Sequence, residues 1–149
     1  CGWWLALAAG AAHAVQATLY EGERTRFHRL LRGDTAAGIA RPSGYRLVRL
    51  YDAVAGSFDR LAADFDRSLR AASDADAMLA SYGARAARPL KLMALLSNNA
   101  RLVLIFLACL AGDPRWFWLI ELTLLTAIAA IGLVRLRTIE RRLVRARGF

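Results

Sequence analysis

Three windows of this chain are apolar over the length needed to cross a bilayer. A helix rises about 1.5 Å per residue, so about 20 apolar residues span a hydrocarbon core of about 30 Å. Residues 1–20 hold no formally charged side chain, residues 90–111 hold Lys91 and Arg101, and residues 116–134 hold only Glu121. With 57% hydrophobic residues in 149, the chain carries more apolar sequence than a small soluble domain can bury, and far more than a disordered or collagen-like chain contains. The expected architecture is all-α: an integral membrane helical bundle of three transmembrane helices with a cytoplasmic amphipathic helical insert, in a single membrane domain over 1–149. Between the second and third spans lies Gly112-Asp113-Pro114-Arg115, rich in turn formers, which predicts a tight antiparallel hairpin. Trp3, Trp4 and Tyr20 flank the first span, and Trp116, Phe117 and Trp118 open the third, as interfacial aromatic anchors do.

Charge then sets the orientation. Residues 21–91 hold thirteen basic and nine acidic side chains, and the tail at 135–149 holds six arginines and Glu140. The hairpin loop has only Asp113 and Arg115. Basic residues near span ends accumulate on the cytoplasmic side, so the insert at 21–89 and the tail are expected inside, and the hairpin loop outside. Three crossings that end inside put Cys1 outside, and the expectation is that Cys1 continues a longer membrane protein; a lipoprotein processed before this cysteine is the alternative. Two cysteines, Cys1 and Cys109, and two histidines, His13 and His28, exclude a disulfide framework, a four-cysteine zinc site and a histidine-rich metal site built from this chain alone. A net charge of +9 would suggest nucleic acid in a soluble protein, but here the basic residues follow the membrane topology and nearly as many acids accompany them in the insert, so no nucleic-acid partner is expected.

The insert is patterned. Leu47, Tyr51, Val54, Phe58, Leu61 and Phe65 fall at alternating spacings of four and three, along one helix face, with charged residues on the others. Such a stripe can meet the anionic inner leaflet, the membrane domain or the mate in a homodimer. Ser73 followed by Asp76 predicts an N-cap and a short helix over 74–87, Pro89 suits the first turn of the next helix, and 33–44 reads as a loop.

Ionisable groups inside a span face a protein interior or a wet cavity. Ser97, Asn98, Asn99 and Arg101 form the most polar intramembrane cluster, with Asn98 and Ser97 three and four residues from Arg101 on one face. Guanidinium and amide donors of this kind suit phosphate oxygens; a structural pair between Arg101 and Glu121 across the hairpin is an equal alternative. His13 and Gln16 share a face and read as interhelical hydrogen-bonding groups. Arg24 and His28 are stacked at the inner exit of the first span, and Arg85, Arg88 and Lys91 recur every three residues at the entrance of the second, so a basic mouth is expected where the two meet.

The polar-studded span leading into Tyr20-Glu21-Gly22-Glu23-Arg24, the insert carrying Leu47-Val48-Arg49-Leu50-Tyr51-Asp52, the run Leu95-Leu96-Ser97-Asn98-Asn99-Ala100-Arg101 and the final hairpin together resemble the C-terminal half of bacterial CDP-alcohol phosphatidyltransferases. The resemblance implies a multi-pass protein of the bacterial inner membrane. In phospholipid biosynthesis it would transfer a phosphatidyl or substituted-phosphate group from a CDP-activated lipid or alcohol to an acceptor alcohol, releasing CMP. It also implies a divalent metal, Mg or Mn, held by the family signature D-G-x2-A-R-x8-G-x3-D-x3-D. This chain contains no such spacing, so no catalytic residue and no metal ligand is assigned within it, and the signature is expected upstream of Cys1. Arg24, Asn98 and Arg101 are the candidate contacts for a phosphate or acceptor head group. The competing function is a non-enzymatic membrane module that docks a partner through the insert; a transporter segment lined by Arg101 and Glu121 is a further alternative that lacks a second gate.

Overall fold

The computed structural model describes residues 2–34 and 46–146, and every regular element in them is helical. Helix α1 (Gly2–Leu31) runs thirty residues, about 45 Å at 1.5 Å per residue, far past the end of the apolar window. It stops at Gly33, whose φ of +75° admits the left-handed turn; Gly33 N donates to Leu30 O and Asp34 N to Arg29 O, the paired bonds of a Schellman cap. Helix α2 (Arg46–Ala71) carries the insert's amphipathic pattern and α3 (Ala75–Met93) follows after a short turn. A single 3-10 turn at Ala94–Leu96 and an extended Ser97 separate α3 from α4 (Asn98–Leu110). Beyond Gly112, with φ +81°, and the Asp113-Pro114 pair, α5 (Arg115–Ile120) passes through a π turn at Glu121–Leu125 into α6 (Thr126–Arg145), a continuous 31-residue rod. The expected hairpin therefore forms, closed by the Asp113 Oδ1 acceptor for the Arg115 amide at 2.9 Å.

Three expectations change. The helix expected to begin near Pro89 does not: Pro89 lies inside α3, and the break falls at 94–97, where α3 and α4 bend by 44°. Ser97, Asn98 and Asn99 are weaker helix formers than the leucines and alanines around them, and the helix yields there and not at the proline. The span expected over 90–111 is thus two pieces, of which α4 at thirteen residues is about 20 Å, too short to cross alone. The N-cap of α3 is Asp74, one residue later than Ser73. On α2 the buried stripe is Ala62, Phe65 and Leu69, with Phe58 partly buried, whereas Leu61 is 55% exposed. The side chains of Leu47, Tyr51 and Val54 in the first part of the expected stripe, and most of the loop at 33–44, lie outside what the structure describes.

The core gathers Leu19, Leu30, Phe65, Met78, Tyr82, Met93, Leu125 and Leu136 from α1, α2, α3, α6 and the π turn. Helices α3 and α6 pack closest, at Gly132: a Cβ there would lie 2.3 Å from Cγ of the fully buried Met93. Gly132→Ala is accordingly expected to cost about 1–3 kcal/mol in unfolding experiments in detergent micelles, and the double variant Gly132→Ala/Met93→Ala to cost less than the two single changes summed.

The helices that belong to the apolar windows are oddly dressed. Trp3, Trp4, Leu7, Leu102, Phe106, Leu110, Trp116 and Leu124 all stand exposed, and buried between these helices are charged and amide side chains.

Candidate functional site: two buried polar layers

The first layer sits where α1, α4 and the π turn meet. Arg101, 2% exposed, places Nη2 3.2 Å from Glu121 Oε1 and donates from the same nitrogen to Gln16 Oε1 at 2.8 Å. Its Nη1 lies 2.8 Å from His13 Nδ1; arginine has only donors, so that imidazole nitrogen accepts. Gln16 Nε2 in turn donates to Thr126 Oγ1 at 2.9 Å and to the Glu121 carbonyl at 3.1 Å. A π turn replaces the usual four-residue backbone pairing by a five-residue one. At Glu121 the carbonyl is thereby reached by the Gln16 amide and by the hydroxyl of Thr126, five residues on. Arg101 Nε and both Glu121 carboxylate oxygens still lack hydrogen-bond partners, and the His13 side chain is 42% exposed, so the layer opens to one side through His13.

The second layer lies where α1 and α6 continue past the apolar windows. Arg26 Nη1 is 2.5 Å from Glu140 Oε1, and Arg26 Nη2 is 2.5 Å from Asp66 Oδ1 on α2. Arg137 donates to both oxygens of Glu140, at 2.8 and 2.7 Å, and pairs with Glu23. The two helices run parallel, so Glu23-x2-Arg26 on α1 faces its charge complement Arg137-x2-Glu140 on α6, position for position. Arg26 also lies over the Phe65 ring at 5.7 Å, and Phe65 packs on Tyr82 at 5.0 Å between ring centres. This cluster fastens α2 to the bundle.

Three carboxylates meet two guanidiniums in that layer. Burial pushes the Glu23 carboxyl above its usual range, against the opposing pull of Arg137 and Arg26. Burial also raises the Tyr82 phenol. It works against charge on Arg26, but the hydrogen bond to Asp66 and the field of Glu140 outweigh it, and this guanidinium stays charged. Because folded Glu23 holds its proton more tightly than the unfolded chain does, its contribution to stability is full below about pH 4.5 and is lost as pH rises through the raised value. Glu23→Gln removes that term, so the stability of the variant relative to the parent should increase between pH 4.5 and pH 8 in thermal unfolding followed at several pH values; an unchanged difference would contradict the assignment.

The candidates chosen from the sequence are not brought together. Arg24 is exposed and, among the described residues, pairs with Glu21 alone, at 3.5 Å. It lies eight residues along α1 from Gln16, about 12 Å from the first layer. Asn98 is exposed at the start of α4, and Arg101 alone is buried. The sequence reading missed Glu23, Arg26, Arg137 and Glu140 because it followed stacked charges, not helix phase. The signal was present: Gln16 and Leu19 continue at spacings of three and four to Glu23, Arg26 and Leu30, all buried, whereas Arg24 falls off that face. Among the described residues no group of three or more His, Cys, Asp or Glu side chains is placed to hold a metal ion, and the acids of the second layer are occupied by arginine. The described residues do not fit a divalent metal site.

No family model, no curated protein and no solved structure matches this chain. Among the described residues its architecture is all-helical, with two buried polar layers, the first of them under an apolar exterior.

Proposed function

We propose that this chain forms a membrane-embedded helical bundle within a bacterial inner-membrane phosphotransferase that moves a phosphatidyl or substituted-phosphate group from a CDP-activated alcohol to an acceptor alcohol, releasing CMP. The observation that carries the membrane part is the inversion of polarity: Arg101, Glu121 and Gln16 are buried while Leu102, Phe106, Leu110 and Leu124 face outward. In water this arrangement exposes large apolar side chains and dehydrates charges; in hydrocarbon it satisfies both. The rod Arg115–Arg145 is long and apolar enough to cross, and the bent pair α3 and α4 passes the same test taken together. Helix α1 falls short of it by hydropathy, because His13 and Gln16 interrupt its window, and both point into the first layer.

The enzymatic part rests on the motif resemblance and on Arg101, whose guanidinium is held at the one layer that opens sideways. Arg101 in this reading organises the wall of a cavity for a phosphorylated substrate, with Glu121 holding it in place. The competing reading, a docking module acting through the insert, loses support because Phe65 and Leu69 of the amphipathic stripe are buried against the bundle and Asp66 is tied to Arg26. Membranes bearing the natural protein should release CMP from a CDP-activated lipid or alcohol when offered a panel of acceptor alcohols with Mg or Mn, and membranes lacking it should not. Equal release from both would reject the phosphotransferase.

A further inference from the structure

A band of arginines on the outer flanks of α3 and α6 takes no part in either layer. Arg85, Arg88 and Lys91 on α3 and Arg135 and Arg142 on α6 are all exposed, and none of them makes an ion pair or a side-chain hydrogen bond among the described residues. The two helices are antiparallel neighbours in register at Met93 and Gly132. That contact also marks a change of surface on both. Toward the hairpin turn the exposed side chains include Leu95 and Ile131; toward the other end they include Arg88, Lys91, Arg135 and Arg142, with Val134 the exposed apolar residue among them. Elsewhere among the described residues the exposed arginines Arg24, Arg67 and Arg115 each have an acid beside them, and Arg32 does not. Unpaired cations gathered on these two helices, below an apolar collar, match a surface that is greasy above and negatively charged below.

We propose that the basic flanks of α3 and α6 bind the head groups of anionic phospholipids in the leaflet they face, with Arg88 and Arg135 among the donors. Resting on the membrane reading of the fold, the inference does not depend on the phosphotransfer chemistry. Arginine suits this task because its planar guanidinium can donate two parallel bonds to phosphate oxygens, and each basic residue near an anionic surface strengthens association by about fivefold.

The test uses the full natural protein, reconstituted in phosphatidylcholine bilayers with a trace of spin-labelled phosphatidylglycerol or spin-labelled phosphatidylcholine, and reads the motionally restricted fraction of each label. The expected result is a preference of about tenfold or more for phosphatidylglycerol, falling by about tenfold in Arg88→Gln/Arg135→Gln and unchanged in Arg67→Gln. Parity between the two lipids in a protein that stays in the bilayer through an alkaline carbonate wash would overturn the proposal and leave the membrane reading standing. Release of the protein by that wash would overturn both. A preference abolished by millimolar inorganic phosphate at constant ionic strength would assign these flanks to a free anion and overturn the lipid assignment; persistence supports it.

Discussion

Replacing Glu140 by alanine should cost about 3–5 kcal/mol of stability, because it leaves two buried guanidiniums short of their shared partner. Glu140 is 2% exposed and accepts from Arg26 and from Arg137. Arg26 would retain Asp66 and Arg137 would retain Glu23, so the loss falls short of what two stranded charges would cost. Glu140→Gln, which keeps the volume and one acceptor, should cost roughly half as much by the same reasoning, since it also removes the excess carboxylate of the layer. Chemical or thermal unfolding of the purified protein in detergent reads both values.

The second large effect concerns Arg101 and Glu121. Removing either partner alone strands a charge at a site with almost no access to solvent, and Arg101→Ala or Glu121→Ala should each destabilise by about 3–5 kcal/mol. Removing both while keeping volume should not: Arg101→Met/Glu121→Leu is expected to recover most of that stability, because a buried ion pair is often no better than apolar groups of equal size. The double variant then separates structure from chemistry. If Arg101 organises a substrate wall, the stable double variant in the full protein has lost phosphotransfer; if it retains full CMP release, the pair is structural and Arg101 leaves the site.

The helices and the hairpin turn were legible because Gly112, Asp113 and Pro114 punctuate two apolar windows, and Gly112 adopts the left-handed φ that only glycine takes easily. The Arg101–Glu121 pair was legible as an alternative, although the ten residues from Lys91 to Arg101, about 15 Å of helix, put Arg101 nearer mid-membrane than Glu121. Counted from the turn instead, Arg101 is nine residues from Leu110 and Glu121 six from Arg115, about 4–5 Å apart in height, within reach of an arginine. The kink at Ser97 and the π turn at Glu121 were invisible to hydropathy, which sums over windows and does not register where the backbone pairing changes. The second layer was missed for a different reason. Charged residues past the end of an apolar window were assigned to solvent, although Glu23, Arg26, Arg137 and Glu140 keep the phase of the buried face. Where a polar residue continues an apolar stripe at spacings of three and four, its partner belongs on the neighbouring helix.

The membrane topology is tested most directly by side-specific labelling of the natural protein in a cysteine-free background, with Cys1 and Cys109 replaced and single cysteines introduced as Asp113→Cys or Asp76→Cys. Both positions are accessible in the structure, one in the hairpin turn and one at the start of α3. In intact spheroplasts a membrane-impermeant maleimide should modify Asp113→Cys and spare Asp76→Cys until the membrane is permeabilised. Equal modification of both before permeabilisation would contradict the proposed crossings.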